Sequence, residues 1–175
     1  KSRTLILLSG DALFGRGLSA AARIASATGA RLLAPYPITR MERGAGRPRV
    51  DRLPYILEQA VELLKEFRNV ILVGAAAPVS YFASPGKSSV LTSAESEIHT
   101  LARPEEDCAG ALEALAEELS LGETPGLAEK TGRPPVPSGE ITLAGFAAAV
   151  GALLPENCIV VDESMTSGRG LMAST

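Results

Sequence analysis

The segment Thr4–Ala30 constrains this chain more than any other. Thr4-Leu-Ile-Leu-Leu-Ser-Gly10 is a short run of consecutive apolar residues closed by glycine, the pattern of a strand buried on both faces of a parallel sheet. Leu18, Ala21, Ala22 and Ala25 follow at i, i+3, i+4 and i+7, so a helix there carries one stripe of small side chains that can lie flat on the sheet. Thr28-Gly29 supplies its stop, and Arg31-Leu-Leu-Ala-Pro35 begins a second apolar run at once. Strand, glycine turn, helix and strand make a βαβ unit, and open sheets of such units hold ligands at the carboxyl ends of their strands. The expected fold is therefore α/β, a Rossmann-like parallel sheet flanked by helices, with the loop from Gly10 to Gly17 on the ligand-facing edge.

The rest of the chain reads in the same terms. Residues 36–52 form a long loop with Arg40, Arg43, Arg47, Arg49 and Arg52 around Gly44-Ala-Gly46; these arginines suit either phosphate and carboxylate groups or plain solvent and surface ion pairs. A helix opens at Leu53-Pro54, with Ile56, Leu57, Ala60, Val61, Leu64 and Phe67 as its inner stripe. Asn69-Val-Ile-Leu-Val-Gly-Ala75 is the clearest strand. The loop 76–89 holds Tyr81, Phe82 and Pro85-Gly-Lys-Ser88, its aromatic pair read as packing the loop onto its own domain. Val90–Thr92 and Glu97–Leu101 read as short strands, and a helix from Pro104 buries Cys108, Leu112, Leu115, Ala116 and Leu119. Glycines and prolines then break the pattern over 122–139, a linker. A helix over 142–154 and a buried strand, Cys158-Ile-Val-Val-Asp162, open a second α/β unit whose polar turn, Glu163–Gly168, lies at a strand's carboxyl end.

Composition excludes several function classes. A net charge of −3 with both signs interspersed, and 4% aromatic residues, offer no field or stacking platform for nucleic acid. No apolar run approaches the roughly 20 residues of a membrane span. Two cysteines in different elements point to a reducing, cytoplasmic setting rather than a disulfide framework. Gly10-x-x-x-x-Gly15 begins like a phosphate loop but continues Arg16-Gly17 where Lys-Ser/Thr is required. The same loop lacks the dinucleotide spacing, and Pro35 stands where an acid would meet a ribose. His99, the single histidine, has no partner motif, and no nucleophile–base–acid set is recognisable. The chain opens on Lys1 and stops without a closing element, as a piece of a longer polypeptide would.

Ser9-Gly-Asp-Ala12, Ala27-Thr-Gly-Ala30, Glu42-Arg-Gly-Ala-Gly-Arg-Pro48, Arg52-Leu-Pro-Tyr55, Leu72-Val-Gly74 and Pro155-Glu-Asn-Cys-Ile-Val-Val-Asp-Glu-Ser-Met-Thr-Ser-Gly168 follow one another in a characteristic order. In that order the chain resembles the thiamine-diphosphate-dependent 2-oxo-acid enzymes, acetolactate synthase large subunits first and benzoylformate decarboxylases second. The resemblance implies a middle domain over 1–121, a Pro/Gly-rich linker over 122–139 and the start of the diphosphate-binding domain over 140–175. It implies that Glu163, Ser164, Thr166 and Ser167 lie near the cofactor's diphosphate, whereas the same hydroxyls read without it as helix caps. It also implies thiamine diphosphate with Mg2+ in the full-length parent, a homo-oligomer, a small 2-oxo-acid substrate, and FAD or an adenine nucleotide beside Gly10, Arg43 and Gly44. The family's activating glutamate and its Gly-Asp-Gly metal segment are not within these residues, so no catalytic residue is assigned here and the piece alone is expected to be inactive. A binding module without catalysis is the other class of reading.

Overall fold

The computed structural model describes residues 3–122, 132–164, 166–168 and 170–175, so most of the expected linker lies outside the described residues. The chain divides into two compact units, one of residues up to 42 and from 47 onward to the linker, the other of Arg43–Gly46 and the C-terminal residues.

The first unit is a five-stranded sheet in the order β3-β2-β1-β4-β5, with every neighbouring pair parallel. β1 (Thr4–Leu8) is central and pairs with β2 (Arg31–Ala34) and β4 (Asn69–Val73). Its alternate residues feed two cores: Ile6 and Leu8 face α1 (Gly15–Thr28) and α3 (Cys108–Glu118), whereas Leu5 and Leu7 face α2 (Leu57–Leu64). This explains the unbroken apolar run, because a strand covered by helices on both faces has no solvent side. In α1 the small stripe lies within the core, with Ala21 and Ala22 fully buried, and Gly29 ends the helix by donating to the Ala25 carbonyl at 2.8 Å. Asp107 caps α3 by accepting from the Gly110 amide at 2.8 Å. That bond, and then Arg16 beside it, hold the Asp107 carboxyl below its ordinary range.

Several boundaries differ from the sequence reading, each for a hydrogen-bonding reason. Asp51–Arg52 forms β3 on the edge beside β2, a strand too short for periodicity to reveal. The Leu53 amide then donates to Ala34 at 2.8 Å, so the chain stays extended past Pro54 and α2 begins only at Leu57. β5 (Glu97–Ala102) takes the place beside β4. Val90–Thr92 is consequently not a sheet strand; Val90 makes one antiparallel bridge with Val79, closing a hairpin-like loop. Leu119 falls just past the end of α3 and is exposed.

In the second unit, α4 (Leu143–Leu153) is capped by the Thr142 hydroxyl, which accepts from the Gly145 amide at 3.0 Å. It packs against the short α5 (Leu171–Ser174). Phe146 and Leu153, expected on its inner side, are exposed, and Ala147 and Gly151 are buried instead. The expected strand Cys158–Asp162 is extended but unpaired: Ile159 is 82% exposed and Val161 78%. A strand is stabilised by ladder bonds and facing side chains from neighbours, and the described residues of this unit supply no sheet for it.

The two cysteines differ sharply. Cys108 is buried, its thiol donates to the Arg103 carbonyl at 3.3 Å, and burial first, then the Asp11 carboxylate, push its pKa up to about 11. Cys158 is exposed. Because the thiolate is the reactive form, a disulfide reagent titrates one thiol in the native chain and two in denaturant, with mass mapping placing the native label on Cys158. Rapid native labelling of Cys108 would contradict this packing.

Candidate functional site

Three chain segments leave the carboxyl ends of β1, β2 and β4. After β1, the Ser9 amide donates to Val73 at 2.9 Å, and Gly10–Leu13 makes a single tight helical turn. The loop expected from Gly10 to Gly17 is thus already helical, and α1 starts inside it at Gly15. A helix start attracts anions through its unpaired amides and dipole. Here the chain supplies the anion itself: Gly15 N–H donates to Glu42 Oε2 at 3.0 Å. Glu42 is held there by its own amide, which donates to Leu13 O at 3.1 Å, and by Arg47, whose guanidinium lies 3.0 Å from the same carboxylate oxygen. Arg40 stacks over Phe14 at 4.6 Å from the ring centre, a cation–π contact that pins the same loop.

The arginine loop divides. Arg47 and Arg49 stand in surface ion pairs, with Glu42 and Asp51 respectively, which is the solvated alternative of the two readings. Arg43 and Gly44 pack with the second unit, where Arg43 donates to the Met172 carbonyl. The loop after β4 carries its aromatic pair against tyrosines of its own unit, as expected, yet leaves the rings exposed.

In the second unit, Ser164 donates to Asp162 Oδ1 from both its amide at 2.9 Å and its hydroxyl at 2.5 Å. Glu163, Ser164, Thr166 and Ser167 are all exposed along one turn. Hydroxyl and amide donors of this kind suit phosphate oxygens. The two groups of expected site residues therefore have different chemistry: the Gly10 turn has its anion position filled from within, whereas the Thr166 and Ser167 hydroxyls stand open to solvent. Among the described residues, no group of three His, Cys, Asp or Glu side chains is arranged to hold a metal ion, and no helix is long and apolar enough to cross a membrane.

Sequence reading missed one charged cluster. Arg16, at the start of α1, donates to Asp107 at 3.1 Å and to Glu113, tying the first turn of α1 to the first turns of α3. The side chains come from positions 91 and 97 residues apart, so no local pattern announces them.

A parallel sheet with strand order 3-2-1-4-5 and helices on both faces defines a Rossmann-like α/β unit. No family model matches the chain. Over 171 residues, 98% of its length, it is 49% identical to "Putative acetolactate synthase large subunit IlvX" of Mycobacterium tuberculosis (strain ATCC 25618 / H37Rv). Two solved structures share the fold. One is a thiamine diphosphate-dependent 4-hydroxybenzoylformate decarboxylase of Rhodococcus jostii RHA1, with TM-score 0.68 and 17% identity over 98% of this chain and 35% of that one. The other is described as a "putative thiamin diphosphate-dependent enzyme" from Mycobacterium smegmatis, with TM-score 0.66 and 20% identity over 98% of this chain and 36% of that one. The chain therefore resembles one segment of thiamine-diphosphate-dependent enzymes, in sequence through the first relative and in fold through all three. It spans about a third of the length of the curated relative it matches, 33%.

Proposed function

We propose that this chain is the middle domain, 1–121, and the opening of the diphosphate-binding domain, 140–175, of a cytoplasmic, oligomeric, acetolactate-synthase-like enzyme. The parent would decarboxylate a small 2-oxo acid and pass the resulting unit to a second carbonyl compound. The observation that carries this reading is 49% identity sustained across 98% of the chain, including the stretch through both units. Thiamine diphosphate, bound with Mg2+, supplies the electron sink for such chemistry. In this chain Ser164, Thr166 and Ser167 would hold its diphosphate by hydroxyl and amide donation, and Glu163 would lie beside the metal-bound phosphates.

The sheet domain serves as scaffold in this reading. A nucleotide phosphate at the start of α1 would have to displace Glu42 from the Gly15 amide and from Arg47, so the residues present do not fit the FAD or adenine nucleotide that the resemblance suggested beside Gly10.

The parent polypeptide, assayed with thiamine diphosphate and Mg2+, is expected to convert pyruvate to acetolactate at the same rate with and without added FAD. Thr166→Val should weaken cofactor affinity about 10-fold or more, because a hydrogen bond to a charged group contributes about 1.5–3 kcal/mol. Unchanged affinity would remove Thr166 from the site, turnover of benzoylformate alone would move the parent to the decarboxylase branch, and no turnover of any 2-oxo acid would favour a binding module.

A further inference from the structure

Four aromatic rings that lie far apart in the sequence converge at the carboxyl end of the sheet. Tyr36 follows β2, Tyr55 precedes α2, and Tyr81 and Phe82 stand on the hairpin-like loop after β4. Ring centres lie 5.1 Å apart for Tyr36–Tyr55, 6.1 Å for Tyr55–Tyr81 and 4.7 Å for Tyr81–Phe82. The rings nevertheless stay between 39% and 62% exposed, and Ile56, Val79 and Val90, their neighbours along the chain, are about as exposed. The loop that carries two of them is braced, with Ser80 N–H donating to Ser89 O at 2.8 Å, Leu91 N–H to Pro78 O at 3.2 Å, and Lys87 paired with Glu58 of α2.

We propose that this patch is a two-fold interface with a second copy of the same chain. A fully buried aromatic side chain covers about 150–250 Å2, so four half-exposed rings present about 400 Å2. The three aliphatic neighbours bring the apolar face to about 600 Å2, at the upper limit for the largest patch on a monomer. Two such faces together bury about 1,200 Å2, the lower bound of specific interfaces. The rings pack edge to face against one another, which fills the slots between them and presents a raised surface rather than a cavity. Such a surface fits another surface and not an inserted small molecule. Tyrosine favours this use, since its ring is buried while its hydroxyl reaches the wet rim. Charge agrees with self-association: Lys87 and Glu58 border the patch as a pair of opposite sign, so a two-fold axis can set each against its opposite on the other copy. The inference rests on this geometry alone and stands or falls separately from the proposed activity.

Sedimentation equilibrium of the 175-residue chain tests it. The expected result is a dimer dissociating in the micromolar range, weakened at least about 100-fold in Tyr55→Ser/Tyr81→Ser/Phe82→Ser, since central aromatic anchors dominate interface energies. Ile159→Ser/Val161→Ser, which alters the exposed run of the second unit, should leave the dimer intact. Circular dichroism checks that the triple variant folds. Should it not, Phe82→Cys in a Cys158→Ser background should give a covalent dimer with a short bismaleimide. A monomer at every concentration, a dimer indifferent to the triple substitution, a dimer lost in the Ile159/Val161 variant, or no cross-link at position 82 would each overturn the proposal. A monomer would leave the patch to a further part of a longer polypeptide or to an unrelated partner.

Discussion

Gly74→Ala is expected to lower the unfolding free energy of this chain by about 2–5 kcal/mol, from two separable causes. Gly74 ends β4 with φ +64°, a left-handed conformation that costs an L-residue about 1–2 kcal/mol. A Cβ there would also lie 2.7 Å from the Ser9 carbonyl oxygen and 3.0 Å from Cys108 Sγ, and overpacking of this kind costs about 1–3 kcal/mol. Neither neighbour yields easily. Ser9 is main chain whose amide donates to Val73, and Cys108 is fixed in the α3 core. Gly10→Ala is the control, because Gly10 has nearly the same φ, +59°, with nothing within 4 Å of the added carbon. It should lose only the conformational part, about 1–2 kcal/mol. Urea unfolding of the two variants separates strain from collision, and equal losses would show that the strand ends give way more readily than this packing implies.

Leu7→Ala is expected to cost about 2–5 kcal/mol, the range for a leucine removed from a core that only partly collapses around the void. Leu7 is fully buried on the central strand, in register with Leu33 on one side and Leu72 on the other, and all three share the core under α2. Ile159→Ser makes the instructive comparison. Ile159 also belongs to a run of apolar residues leading to a polar turn, yet it is 82% exposed, and exposed positions away from special features change stability by at most about 0.5 kcal/mol. Thermal unfolding of both variants checks the contrast. A large loss from Ile159→Ser would mean that the run is buried in this chain after all.

That pair also marks how far the residues could be read in advance. The parallel sheet, its central strand, α1 with its small stripe, β4 and the burial of Cys108 follow from local pattern, because each is set by residues within one or two turns of the chain and by helices on both faces of the sheet. α2 began later than its proline suggested, because the Leu53 amide has a sheet partner at Ala34. β3 escaped notice because two residues carry no period. Among the candidate site residues, Glu163, Ser164, Thr166 and Ser167 were found through resemblance and not through spacing. Glu42, which fills the start of α1, carries no local sign of doing so: its partner amide is 27 residues away.

The sequence by itself determined which segments form strands and helices and that the strands lie parallel, since buried runs and amphipathic stripes are properties of neighbours along the chain. Only the tertiary structure decided which anion faces α1, which aromatic rings meet at the sheet end, and that one apolar run is core while another is bare. Those outcomes depend on contacts between distant residues, and an apolar segment becomes a buried strand only where other strands and helices are present to cover it.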